Sequence, residues 1–317
     1  MVRACLFLEG GNGTRKGLVY GLVTYFIWGF LPLFWKELAA IDPWSLLAYR
    51  IGWSFVVMTI VSLYYFKWQG LKEQFCLLFS RKEVINILLA AGSIGLNWGA
   101  FIYCVSSDQT TQASFAYFCS PLFTVFFGWS LFHEKLNRWQ KIGIVCLIGS
   151  LVVKIISGEQ VSTIALVMSF AVAGYGVLEK KGVGHPIFRM WVETIILLPI
   201  VVIIQQKTGL ALIVSNPSEN IWLCLSGVAT ALPLILFMEA TKRLPQTTLA
   251  ILQYINPLVM LLLSVFLFQE VLYRSDIWSF CWILVGSVLF TIGLQKNNYL
   301  EEENDKRRDA NDGISTY

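Results

Sequence analysis

Charge is what this sequence has least of. Asp, Glu, Lys and Arg make up only 14% of its 317 residues, against about 25% in an ordinary soluble domain, so a water-soluble globule is not expected. Mean hydropathy is +0.64, and a chain this apolar does not stay solvated, which excludes disorder over its main length. Histidine is nearly missing, with His133 and His185 the only two. His133-Glu134-Lys135-Leu136-Asn137 comes close to the zinc motif H-E-x-x-H, but Asn137 stands where the second ligand must be. The cysteines (Cys5, Cys76, Cys104, Cys119, Cys146, Cys224, Cys281) form no C-x-x-C and fall mostly in apolar stretches. Neither a disulfide framework nor a metal site is implied.

Other catalytic signatures are missing too. There is no G-x-S-x-G nucleophile turn, and the glycine-rich run 10–17 lacks the Gly-Lys-Ser/Thr ending that holds phosphate and magnesium. The chain therefore reads as a non-enzyme with no cofactor, and any transport it performs is secondary. Its net charge of +4 does not point to nucleic acid, because the basic residues lie in short clusters between apolar segments rather than on one dense face.

Apolar length is what the chain has in quantity. A bilayer core needs about 20 apolar residues per helix, and the sequence supplies segments near 17–38, 44–66, 84–106, 110–133, 139–157, 161–179, 186–205, 219–241, 246–269 and 276–295. The expected fold is all-α and membrane-embedded, with ten spans. Pro43, Pro186, Pro217 and Pro245 sit at segment starts, where a missing N–H costs nothing. Pro32, Pro121, Pro199, Pro233 and Pro257 fall inside segments and should kink them. Trp35, Trp44, Trp68, Trp139, Trp222 and Trp278 lie near segment ends and read as interfacial anchors. With residue 1 inside, the inner loops and tails hold 19 of the 24 basic residues, so the positive-inside rule places both termini in the cytoplasm. Residues 1–16 then form a cytoplasmic segment too short in apolar length for a signal peptide, and 296–317 a solvated, disordered cytoplasmic tail.

Shifting the chain by 136 residues aligns Pro121-Leu122 with Pro257-Leu258, Leu131-Phe132 with Leu267-Phe268, and Glu134 with Glu270. Both copies read P-L-x8-L-F-x-E, which marks an internal repeat dividing the chain into 17–158 and 159–295. Each copy holds five spans, an odd number, so the second enters the membrane from the opposite face. Inverted repeats of this kind characterise secondary transporters, whose halves exchange shapes around a midplane site. Gly17-x-x-x-Gly21 and Gly95-x-x-x-Gly99 permit close helix packing, although glycine is common in membrane helices for no functional reason.

Two ionisable residues lie well inside segments, Arg50 and Glu193, each seven residues past the proline that opens its segment, or about 10 Å deep. A charge at that depth implies a function and a partner. Glu193 has a structural alternative in an i, i+4 salt bridge to Arg189. Arg50 has no acid at i±3 or i±4, and its structural alternative is snorkelling to the outer surface. The functional reading makes Arg50 an anchor for an anionic group and Glu193 a site for a cationic group or a proton. Asn97, Trp98, Tyr103, Tyr117, Phe237, Gln253, Tyr254 and Asn256 cluster in the third, fourth, eighth and ninth segments. An aromatic stripe at helical spacing is packing before it is a ligand box, but an amide in hydrocarbon must find a partner or face water.

Several separated motifs, in order, resemble one family: Tyr25-Phe26-Ile27-Trp28-Gly29, Arg50-Ile51-Gly52-Trp53-Ser54-Phe55, Asn97-Trp98, Ala113-Ser114-Phe115-Ala116-Tyr117-Phe118 leading to Pro121-Leu122 and Glu134, Glu193-Thr194, and Gln253-Tyr254-Ile255-Asn256-Pro257. Across roughly residues 16–295 the chain resembles the RarD branch of the EamA family in the drug/metabolite transporter superfamily. The resemblance implies ten helices in two EamA repeats, an inner-membrane location and export or exchange of small organic solutes. Glu193 makes protons a candidate coupling ion, and a homodimer is allowed. Trp28, Arg50, Trp53, Asn97, Trp98, Tyr117, Glu193, Gln253, Tyr254 and Asn256 become the candidate substrate-binding residues, and Pro121, Pro233 and Pro257 the candidate hinges. The chain departs from the pattern at Cys119-Ser120, where an apolar residue and Asn are usual, and at His133, where Gly often precedes the glutamate. A non-transporting sensor or assembly subunit on the same fold is the competing reading.

Overall fold

The computed structural model describes residues 12–78, 80–132, 137–157, 162–209, 217–241, 243–244, 252–286, 288–289 and 292–293. Within them the order is α1 (Asn12–Lys36), α2 (Pro43–Leu78), α3 (Arg81–Ser106), α4 (Thr110–Phe132), α5 (Arg138–Ile156), α6 (Thr163–Lys181), α7 (Pro186–Thr208), α8 (Pro217–Thr241) and α9 (Ile255–Leu262). The last continues as a π-helix over Leu263–Leu267, and a further helical stretch covers 274–286. No strand occurs among the described residues. Parts of α1, α2, α3, α7 and α8 are long and apolar enough to cross a bilayer, and shorter apolar helices run over Thr163–Glu179 and Ile255–Leu267. Each segment expected from the sequence overlaps one of these helical stretches. The N-terminal segment through residue 11 and the charged tail lie outside the described residues.

Local chemistry sets the boundaries. Asp42 caps α2, accepting from the Trp44 and Ser45 amides at 3.0 and 3.1 Å, and Ser80 caps α3 by accepting from Glu83 N at 3.2 Å. Pro186 opens α7 at its first turn behind a His185 cap, and Gly209 closes it in the left-handed conformation. The α2 helix leaves its axis at Lys67 (φ 52, ψ 179), so the span ends there and 68–78 forms a separate short helix. Among the expected tryptophan anchors, Trp44, Trp222 and Trp278 are exposed and Trp139 is half-buried, while the Trp68 side chain lies outside the described atoms. Trp35 is not an anchor: its side chain is fully buried, for the reason given below.

The two halves do not form separate lobes. Helix α2 packs on α7 and α8, α1 on α8 and α9, α3 on α6 and α7, and α4 on α6 and α9. The core, built around Trp35, Leu46, Ile51, Ile102, Phe115 and Phe118, therefore lies where the halves meet, and large apolar side chains such as Ile60, Val145, Phe266 and Ile277 face outward. In a bilayer that outward face costs nothing, because lipid replaces water as the solvent.

Glycines fix the closest approaches. A Cβ on Gly95 would lie 2.7 Å from Leu197, one on Gly29 2.6 Å from Val259, and one on Gly227 2.4 Å from the Trp53 carbonyl oxygen. Backbone cannot rotate aside as a side chain can, so Gly227→Ala is expected to destabilise the fold by about 2 kcal/mol through overpacking of α2 against α8. Gly52 has open space around it, and Gly52→Ala is the matched neutral control. Thermal unfolding of both variants in detergent measures the difference.

The ninth segment keeps its helical course up to Pro257. Tyr254, just before α9, is right-handed helical (φ −69, ψ −14), and its carbonyl accepts from Leu258 N at 3.3 Å. Pro257 costs only the bond that its missing N–H would have made. It sits in the first turn of α9, buried. Pro233 is buried within α8, and its carbonyl accepts from Thr24 Oγ1 at 3.4 Å. Helix α4 runs through position 121 without interruption; the Pro121 side chain lies outside the described atoms.

Candidate functional site

Arg50 enters the core from α2 and does not snorkel. It is 5% exposed, and its guanidinium carbon lies 4.9 Å from the Trp35 ring centroid, 4.7 Å from Trp98 and 6.0 Å from Phe101. Rings from two helices, α1 and α3, thus cage one cation, which explains why Trp35 is buried instead of anchoring at the surface. Nε donates to Thr230 Oγ1 of α8 at 3.2 Å, while Nη1 is buried without a partner. No carboxylate pairs with Arg50 among the described residues. Aromatic faces stabilise a desolvated guanidinium, but they leave its in-plane N–H groups free for an anion.

Beside this cage, Asn97 of α3 donates to the Met168 carbonyl at 3.4 Å and accepts from the Tyr117 hydroxyl of α4 at 3.3 Å. The amide expected to need a partner has found two. Trp98 has the Arg50 cation against its ring and also lines a narrow crevice with Ile94, Tyr175, Met190, Glu193, Thr194, Leu197 and Leu234. The crevice is too tight in this conformation to admit water.

Glu193 is 2% exposed on the crevice wall. Its Oε2 accepts from the Tyr175 hydroxyl at 3.2 Å and its Oε1 has no partner. The salt bridge to Arg189 expected as its structural alternative does not form. Arg189 turns away to Glu179, donating from Nη2 at 2.7 Å and from Nε at 3.0 and 3.1 Å. It also donates to Asn86 Oδ1 at 2.8 Å and lies 3.6 Å from Glu83. The guanidinium passes so close to Gly182 that a Cβ there would lie 2.1 Å from Cζ. Two carboxylates outside the crevice have captured the arginine, leaving Glu193 with the Tyr175 hydroxyl and beside the Glu179 carboxyl.

The remaining candidates divide. Trp28 packs with Tyr25 and Phe237, both centroids 5.5 Å away, and Trp53 lies half-buried against the α2–α8 contact. Tyr254 stacks on Phe118 at 6.4 Å. Asn256 is buried with Oδ1 unpartnered, and Gln253 is half-buried two residues before α9. Arg50, Trp98, Asn97 and Tyr117 thus form one group, with Glu193 reached through Trp98, while Trp28 belongs to an aromatic packing cluster. Trp35, Thr230 and Tyr175 complete the site and were not foreseen; a lone Thr in the apolar run of α8 was the available signal. No group of His, Cys, Asp and Glu that could hold a metal occurs among the described residues.

The sequence model of the EamA-like transporter family matches the chain twice, over residues 15–156 and 161–292. Together the two matches cover nearly all of the described chain. This protein is a RarD-type member of the EamA-like transporter family. Among its relatives are the uncharacterized transporter YojE of Bacillus subtilis, 32% identical over 89% of this chain and 96% of that one, and the protein RarD of Salmonella typhi, 31% identical over 88% and 95%. A solved crystal structure with 16% identity superposes with a TM-score of 0.53, covering 88% of this chain and 98% of that one, a likeness of fold alone. The RarD-type chain is thus a multi-pass membrane protein of a transporter family whose family pattern occurs once in each half. The central arginine, the Asn-Trp pair and the buried glutamate all fall within the matched regions.

Proposed function

We propose that this RarD-type protein is a secondary carrier that moves a small organic solute across the cytoplasmic membrane by alternating access between two inverted five-helix halves, in efflux or exchange, with both termini cytoplasmic. The observation that carries the reading is the pair of buried, incompletely partnered charges, Arg50 Nη1 and Glu193 Oε1, on either side of Trp98 where the halves meet. A scaffold has no reason to retain them, since a buried charge without a mate is costly. A carrier does, because its ligand supplies the missing partner for part of each cycle. Arg50 anchors an anionic group of the solute over Trp98, Asn97 and Tyr117 set the floor of the site, and Glu193 takes a cationic group or a proton. The buried Asn256, whose Oδ1 has no partner, and the half-buried Gln253 add polar groups from the second half.

Flux from proteoliposomes loaded with a mixed panel of amino acids, nucleosides and amphipathic drugs, followed by mass spectrometry with and without a pH gradient, tests the reading. Selective loss of one class is expected, at a rate that rises with the gradient in the parent and no longer responds to it in Glu193→Gln. Equal gradient dependence in parent and Glu193→Gln would remove the proton role. The closed packing of the crevice favours a second reading, a non-transporting sensor or assembly subunit, and the absence of any selective flux from folded protein would decide for it.

A further inference from the structure

The end of the bundle at which α4 begins carries an arrangement that solute binding does not require. The Glu270 carboxylate, from beyond the π-helix in the second half, accepts the Thr110 amide on Oε1 at 2.8 Å and the Thr111 amide on Oε2 at 2.8 Å. The Thr111 hydroxyl donates to the same Oε2 at 2.7 Å and lies 3.1 Å from Ser264 Oγ. One carboxylate thus satisfies both free donors at the start of a helix from the other half, where the helix dipole also favours negative charge. Nearby, Lys36 of α1 pairs with Asp108 and lies 5.1 Å from the Phe268 ring centroid. Three chain segments from both halves are thereby drawn together.

The segment that delivers Glu270 is strained. Residues 263–267 form a π-turn in which Phe268 N donates to Leu263 O at 2.9 Å. Gln269 is left-handed at φ 53, a conformation that suits glycine and is costly for glutamine. Glu270 N then donates to Ser264 O at 2.9 Å. Strain of this kind persists only where surrounding contacts overdetermine it, and here those contacts are the three bonds to the start of α4. The closed arrangement is therefore held by polar bonds against a backbone that relaxes when they part, as a reversible closure requires.

We propose that Glu270, through its bonds to Thr110 and Thr111, is a latch that closes this end of the central site and must release once per transport cycle. The inference rests on the alternating-access reading, but its test does not need the substrate. The sequence carries the same elements in both halves: Gln109-Thr110-Thr111 and Gln246-Thr247-Thr248, with Glu134 and Glu270.

The native Cys104 is a built-in reporter. Its side chain is fully buried, and its carbonyl accepts from Gln109 N at 2.8 Å, which ties it to the turn leading into Thr110 and Thr111. With the other cysteines changed to serine, the full chain in proteoliposomes is treated with a charged, membrane-impermeant maleimide from either side. Weakening charge-assisted bonds in Glu270→Gln is expected to raise Cys104 labelling about tenfold from one side only. Gln269→Gly, which removes the backbone strain and keeps the bonds, is expected to lower labelling below the parent rate. A protein that had merely loosened would label faster in both variants and from both sides. Unchanged labelling in Glu270→Gln, or faster labelling in Gln269→Gly, would overturn the latch. Selective flux that failed while labelling behaved as expected would instead count against the carrier reading and leave the latch standing.

Discussion

Replacing Arg50 by methionine is expected to stabilise this protein while abolishing its transport. The side chains are similar in length, so the cage of Trp35, Trp98 and Phe101 stays filled. The cost of holding an unpaired guanidinium in the core disappears, which is expected to raise unfolding stability in detergent by about 1–3 kcal/mol. Flux should fall about a hundredfold, the equivalent of about 3 kcal/mol for a lost buried charge contact. Arg50→Lys should fail as well, because an ammonium lacks the planar fork that stacks between two indoles and still presents N–H groups at its edge. Thermal unfolding and proteoliposome flux on the same preparations read both effects. If the methionine variant proves less stable, Arg50 is a structural residue; if it transports normally, the anion site lies elsewhere.

Arg189→Met is expected to have the opposite character. Arg189 is 1% exposed and satisfies Glu179, Asn86 and Glu83 together. Removing it leaves two carboxylates facing one another across α3 and α6 with no cation between them, an arrangement expected to cost about 3–5 kcal/mol. Neutralising the main acid in the double variant Arg189→Met, Glu179→Gln should recover more than half of that loss, because the penalty lies in the orphaned charge rather than in lost packing. A double variant no more stable than the single one would mean that the arginine acts chiefly by filling space beside Gly182.

These contrasting outcomes mark how far the sequence could be read. Helices, their ends and their apolar length were legible because they follow from local chemistry: prolines and caps at starts, and long runs without charge. The depth of Arg50 and Glu193 was legible from counting residues after Pro43 and Pro186. Their partners were not, since Thr230 lies 180 residues from Arg50 and nothing local to either announces the contact. The i, i+4 spacing of Arg189 and Glu193 looked like a pair on one helix face. What decided the outcome was that Glu179 and Glu83 converge on the arginine from two other helices. Trp35 misled for a related reason: its position at a helix end fits an interfacial anchor, and only tertiary packing turns it inward onto a cation. The Glu270 latch had a signal in the repeated Gln-Thr-Thr, which shows its meaning only once the carboxylate is seen on the amides.

Arg50 and Glu193 each stand seven residues beyond the proline that opens their helix, and each falls within one of the two matches to the family pattern. In a dimer of two identical five-helix subunits, any residue at such a place would appear twice. Two arginines brought together in one core would repel, and two glutamates likewise. Joining the copies into a single polypeptide frees each position to mutate alone, so that a cation and an anion can occupy sites that a homodimer must fill alike. Fusion thereby widens the chemistry open to the fold, from solutes that are themselves symmetric to solutes whose two ends differ.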